Sequence, residues 1–255
     1  MGFSFNRIVT CILRIASIGK LNNINLLVAA TVFVAAGVLV LIIVHLFWTQ
    51  RIRRSLHPSI GWLQSVRIIF RGLLLVIFST LAINITTIVQ PFFTRDQRIL
   101  HIDRSLQLYG ATFFAITSTL PIFVVAFSLV FSRNGAHERF GSGTLQTKII
   151  VLLAGTTLVT LGAWYRCATL RQRPVPITQS MPAYFHKACF YIFNFGVEIA
   201  LVCLYAVMRV DLLFHIPNGA KGPGSYDGTQ APRREGEDEK ASESTNELRE
   251  GALTP

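Results

Sequence analysis

The sequence predicts an all-α fold, a polytopic bundle of five transmembrane helices, and three observations carry that prediction. Of the 255 residues, 51% are hydrophobic and only 15% charged, where a soluble domain carries about 25% charge. The charges are also segregated: residues 1–215 hold 19 Lys/Arg against 5 Asp/Glu, residues 216–255 hold 5 against 8, and the net is +11. Finally, the basic residues stand in short clusters between long uncharged runs, which is the pattern of loops between membrane spans and not that of a nucleic-acid patch. An apolar, basic body with a short acidic tail excludes a soluble globular enzyme and a wholly disordered chain.

The first element, residues 1–20, reads as an interfacial amphipathic helix. Arg7, Thr10, Arg14 and Ser17 share one helical face, while Ile8, Ile12, Ile15 and Ala16 cover much of the other. Arg7 and Arg14 interrupt the apolar stretch and no small-residue cleavage site follows, so the segment is a poor signal peptide.

The transmembrane bundle is assigned to residues 21–217. A helix needs roughly 20 mostly apolar residues to cross a hydrocarbon core. Intervals free of Lys and Arg, of 30, 23, 28, 17 and 21 residues, follow Lys20, Arg71, Arg104, Lys148 and Lys187 in turn, and only the last carries an acid, Glu198. They predict helices over 24–48, 68–92, 106–131, 148–168 and 185–210. The fourth interval is short, so Lys148 and Arg166 are expected to snorkel outward from its ends. Ala111, Ala115 and Thr119 form a small-residue face on the third helix that should meet a neighbouring helix. Pro121 is expected to break that helix. Residues 218–255, rich in Gly, Pro, Ser and Glu, read as a disordered acidic cytoplasmic tail that a cytoplasmic partner could bind. Lys and Arg divide evenly between the two sides of a five-span topology, so the positive-inside rule assigns no orientation. A plasma membrane or endomembrane is the expected location.

No catalytic or metal-ligating set is visible, so no enzymatic activity and no cofactor are expected. His137-Glu138 lacks the second His of a zinc helix, Gly141 and Gly143 begin no phosphate loop, and the four cysteines have neither metal-ligand nor paired spacing. Glu198 is the exception to a bland interior. It lies 11 residues from both Lys187 and Arg209, roughly 16 Å along the helix from either end. An acid at midplane costs about 2.5–3.5 kcal/mol on insertion scales. Tyr191, Asn194, Glu198 and Tyr205 form one polar seam, with Asn84 of the second span among the facing candidates. Tyr191, Asn194, Glu198 and Asn84 are therefore the candidate ligand-binding residues. The alternative is an interhelical hydrogen-bond network that only fixes packing. With no cation placed near it, Glu198 is expected to be protonated and bonded to Asn194 or a hydroxyl.

Several stretches resemble a fungal family of multi-pass membrane proteins that carries a domain of unknown function. They are KACFYIFNFGVEIALVCLYAVMRVDLLFHIPNG (Lys187–Gly219), TCILRI (Thr10–Ile15), the AAGV run before QRIRRSLHPSIGW (Gln50–Trp62), and FGSGTLQTK (Phe140–Lys148). More distantly the chain is similar to the fungal lipid-translocating exporter-like, sterol-analogue-resistance proteins, which have seven spans. That resemblance implies two further N-terminal helices, so the chain looks N-terminally short. It also implies a lipid or sterol-like ligand and no catalytic residues. The function expected from these readings is lipid or small-molecule translocation or handling, with a seven-pass-like receptor or sensor bearing a regulatory tail as the alternative.

Overall fold

A computed structural model describes residues 2–19, 23–57, 61–94, 96–131, 140–172 and 187–216. The tail predicted over 218–255 lies outside the described residues. The described chain is all-helical: α1 (Gly2–Gly19), α2 (Ile24–Leu56), α3 (Gln64–Val89), α4 (Gln97–Val130), α5 (Leu145–Arg171), α6 (Lys187–Tyr191), a π-turn over Ile192–Gly196, α7 (Val197–Val207) and α8 (Val210–Leu213). Five helices are long and apolar enough to cross a membrane: α2, α3 with the 3₁₀ turn that follows it, α4, α5, and the last span Ala188–Val207.

The first four membrane-length helices run further than their uncharged intervals because their charged ends are helical too. Asp96 caps α4 by accepting from the Arg98 amide, and Thr144 caps α5 by accepting from the Thr147 amide. Pro91 leads α3 into the 3₁₀ turn Gln90–Phe92. The last span ends at Val207, and Arg209, with a left-handed φ of 45°, is the N-cap of α8. Pro121 does not break α4. The helix continues through it to Val130, with Pro121 buried. Proline removes one i→i−4 bond, but the neighbouring turn is tied to α5, where the Thr160 hydroxyl donates to the Ser118 carbonyl at 2.9 Å.

α2 is the hub of the bundle, touching α1, α3, α4 and α5, and α5 in turn packs on α4 and α7. One core gathers Leu39, Ile42 and Leu46 of α2 with Ile77, Val159 and Leu201. A second gathers Ile52, Val125 and Leu152 with Phe140, Val210, Leu213 and Phe214. The predicted small-residue face does meet a helix: Ala111 and Ala115 pack on Ala163 and Cys167 of α5. Beside them, the Trp164 indole donates to Thr119 Oγ1 at 3.1 Å.

The charges at the ends of the fourth span do not snorkel. Lys148 is buried, its ammonium donating to the Phe140 carbonyl and lying 4.2 Å from the Phe140 ring centroid. α5 extends one turn beyond Lys148 on one side and to Arg171 on the other. Both cations therefore stand inside the helix, close to acceptors in the bundle.

α1 divides into the two faces its sequence suggests, and its polar face is turned inward. Thr10 is fully buried, whereas Ile8, Ile12 and Ile15 are exposed. Asn6 and Arg7 reach the carbonyls of Phe33 and Val34, while Phe3 packs against the core that α2 shares and lines a cleft with Leu41 and Val44. α1 thus runs antiparallel to the N-terminal half of α2.

Replacing Ala115, which is 0% exposed, with Phe should lower thermal stability in detergent by about 1–3 kcal/mol, the usual cost of overpacking. A melting series showing no loss would refute close packing of that face on α5. Ile116→Phe, on the exposed side of the same helix, serves as the neutral control.

Candidate functional site

Glu198 is 7% exposed and sits near the middle of the last span. Arg7 of α1 pairs with its Oε1. Arg166 of α5 approaches the same oxygen through Nη2 at 3.5 Å and donates through Nε to Asn194 Oδ1. Asn194 completes its own bonding by donating from Nδ2 to the Phe190 carbonyl at 2.8 Å. Two elements, α1 and α5, thus bring a cation each to one carboxylate of the last span, so a single acid faces two guanidiniums.

Local structure explains why each group can arrive. Gly37 on α2 leaves room for Arg7, since a Cβ there would lie 2.6 Å from the guanidinium carbon. A π-turn widens the last span at Ile192–Gly196, the segment that carries Asn194. Such bulges insert one residue into a helix and re-aim its side chains, and they occur often at functional sites. Aromatic rings cover the outer side: Arg14 lies 4.9 Å from the Phe190 ring centroid, and Arg7 lies 5.8 Å from that of Phe195. Arg7 Nε is buried without a hydrogen-bond partner. A crevice of about 10 Å³, lined by Leu41, Gly162, Arg166, Asn194, Glu198 and Leu201 among others, has room for about one water.

The sequence-predicted residues separate into two groups. Asn194 and Glu198 are brought together on the Arg166 fork. Tyr191 is 49% exposed and lies under Arg14 instead. Asn84 sits at the α3–α4 seam, its amide against Gly110. The expectation of a cation-free Glu198 is overturned, because Arg7 and Arg166 both reach it. Arg166 stands within α5, not at its boundary, and Arg7 belongs to a face turned into the bundle. The sequence does hold a signal for Arg7, since its polar face matches the polar seam of the last span.

Two turns further along the last span is a second polar pair. His45 of α2 is 1% exposed. Its Nδ1 lies 2.7 Å from the Leu41 carbonyl, which can only accept, so Nδ1 carries the proton. Nε2 of the neutral ring then accepts from the Tyr205 hydroxyl. Gly155 of α5 makes the space, as a Cβ there would collide with that hydroxyl. Beyond this pair, Phe140–Gly143 docks on α8: the Ser142 amide donates to the Leu212 carbonyl at 3.0 Å, and Gly141 takes a φ of 56° against Leu213.

α5, the last span, the Phe140–Gly143 loop and α8 fall in one stretch of chain, and a family model recognises that stretch. Residues 134–215 match a family described as a protein of unknown function, DUF3112. The match takes in FGSGTLQTK and the last span through RVDLLFH, together with Arg166, Asn194, Glu198 and Tyr205. Arg7 and His45 lie outside it. None of the curated proteins matches the chain. No solved structure matches it either.

With two arginines on one acid, the Glu198→Gln change is not the silent exchange expected of a neutral carboxyl. It leaves two buried guanidiniums without their counter-charge, and breaking a buried pair costs about 3–5 kcal/mol. The melting temperature in detergent should fall accordingly, and Arg7→Gln in the same chain should restore part of it. A double variant no more stable than Glu198→Gln alone would show that Arg7 is not the partner in solution.

Proposed function

We propose that the protein is a multi-pass integral membrane protein that translocates or otherwise handles a lipid-like small molecule. The observation that carries this reading is the Arg7–Glu198–Arg166 centre. Ionisable groups inside membrane-spanning bundles are expensive, and they mark substrate and ion pathways. Three further features support it. The centre holds a surplus positive charge, so an anionic or dipolar ligand group is favoured there. Its cations come from two different elements, so relative movement of α1 and α5 changes its electrostatics. The exposed Ile8, Ile12 and Ile15 of α1 suit contact with acyl chains, which keeps α1 associated with the membrane. The more distant exporter-like resemblance points the same way and belongs to this proposal alone.

The direct test is transbilayer movement of a fluorescent phospholipid analogue in vesicles reconstituted with the full chain, read by dithionite quenching. The expected result is faster movement than in protein-free vesicles, reduced at least about tenfold by Glu198→Asp, which keeps the charge and shortens its reach. A rate equal to the protein-free control overturns translocation. A Glu198→Asp rate equal to the native chain's removes the charge centre from the mechanism.

A further inference from the structure

A cleft of about 620 Å³ opens between the first turn of α1, the C-terminal half of α2, α7 and α8. Its volume falls within the range of small-molecule sites, about 300–1,000 Å³. The two ends differ in chemistry. Towards the middle of the spans its walls are Phe3, Val40, Leu41, Val44 and Val202. At the opposite end stand Arg51, Asp211 and His215, with Trp48 and Tyr205 between. Arg51 begins the basic run Arg51, Arg53, Arg54 that closes α2, so the polar end lies where that helix leaves its apolar stretch. An aromatic pair at such a boundary is the usual membrane-interface arrangement.

The polar end is built, and its charges are opposite. Arg51 donates from Nη1 to the Phe214 carbonyl at 2.6 Å, which fixes the side chain and leaves other N–H groups of its five. Trp48 stacks on Phe214 with centroids 4.8 Å apart and meets Tyr205 edge-on at 5.1 Å, so the wall beneath the charges is rigid. Arg51 and Asp211 both line the cleft, and among the described residues they form no ion pair with each other. One fixed cation, one separate anion and an apolar trough complement a head group that carries both charges above an acyl chain.

We infer that this cleft is a binding site for a zwitterionic phospholipid, with Arg51 and His215 facing the phosphodiester, Asp211 facing the ammonium group, and one acyl chain lying between Val44, Val202 and Phe3. The inference takes its class of ligand from the lipid-handling reading, but the site does not require that the lipid be moved across the membrane.

Trp48 supplies the probe. The chain has three tryptophans, so Trp62→Phe with Trp164→Phe leaves Trp48 as the only indole. The double variant is reconstituted into unbrominated vesicles containing a minor fraction of brominated phosphatidylethanolamine, phosphatidylglycerol or diacylglycerol, and Trp48 quenching gives a relative association constant for each. Phosphatidylethanolamine should exceed diacylglycerol by about tenfold, the factor that one charge-assisted hydrogen bond is worth. Arg51→Gln should erase that preference. Asp211→Asn should shift it towards phosphatidylglycerol, and Ala206→Phe, at a residue that lines the cleft, should lower quenching by all three. Melting curves of each variant show whether it stays folded. Equal quenching by the three head groups would mean ordinary boundary lipid and would overturn the site. Absence of quenching by any of them would mean that protein covers the cleft, which also overturns it. Head-group selectivity without transbilayer movement sustains the site and removes the translocation reading; movement without selectivity does the reverse.

Discussion

The arrangement of this bundle turns on a single carboxylate that must be shared. Glu198 sits inside the last span, and charge buried there is tolerated only when it is paired and hydrogen-bonded. Arg166 can reach it because α5 packs directly on α7. Arg7 can reach it only if α1 folds back along α2 and if α2 offers no side chain at position 37. The antiparallel course of α1, the placement of Gly37 beneath the guanidinium, and the inward turn of the polar face of α1 are therefore one constraint seen in three places. The usual helix amphipathicity, apolar face to the protein and polar face to water, is inverted in α1 for the same reason.

The stretch that matches the family model is not electrostatically complete by itself. It contributes the acid, one arginine and the asparagine that orients it, along with Tyr205 and the Phe140–Gly143 loop. The second arginine and the histidine that accepts from Tyr205 come from α1 and α2. The docking of Phe140–Gly143 on α8 is different in kind, being internal to the matched stretch. Gly141 needs both its positive φ and its missing side chain there, with the carbonyls of Leu212 and Leu213 against it.

The membrane-length helices were legible in the sequence because hydropathy over 20 residues depends on composition alone, and the five intervals free of Lys and Arg, one of them holding Glu198, correspond to five such helices. The Ala111–Ala115 face was legible for a similar local reason, since small residues one turn apart leave a groove that only another helix fills. What could not be read was the direction of long side chains. Lys148 and Arg166 each have a stem long enough to leave the bundle or to enter it, and spacing from the helix end does not decide which. The acceptors decide: the Phe140 carbonyl for Lys148, Asn194 and Glu198 for Arg166. Those acceptors are 8 and 28 or more residues away in the chain. Pro121 failed as a break for a related reason, because a helix packed on a neighbour with hydroxyls can afford the loss of one backbone bond.

The charge centre and the cleft are mechanically one object. Phe3 stands one helical turn from Arg7, and Val202 one turn from Glu198, while Leu41 lines both the cleft and the small crevice at the ion pairs. No step that separates Arg7 from Glu198 by moving α1 can leave Phe3 in place, because α1 is a single unbroken helix across both residues. Displacing α1 would therefore open the inner end of the cleft and expose the unpaired guanidinium beside it in the same motion. Conversely, an apolar chain that pushed Phe3 outward would do so against the Arg7–Glu198 attraction, which in the low-dielectric interior is far stronger than it would be in water. The ion pair thus resists any displacement of α1 that would widen the inner end of the cleft.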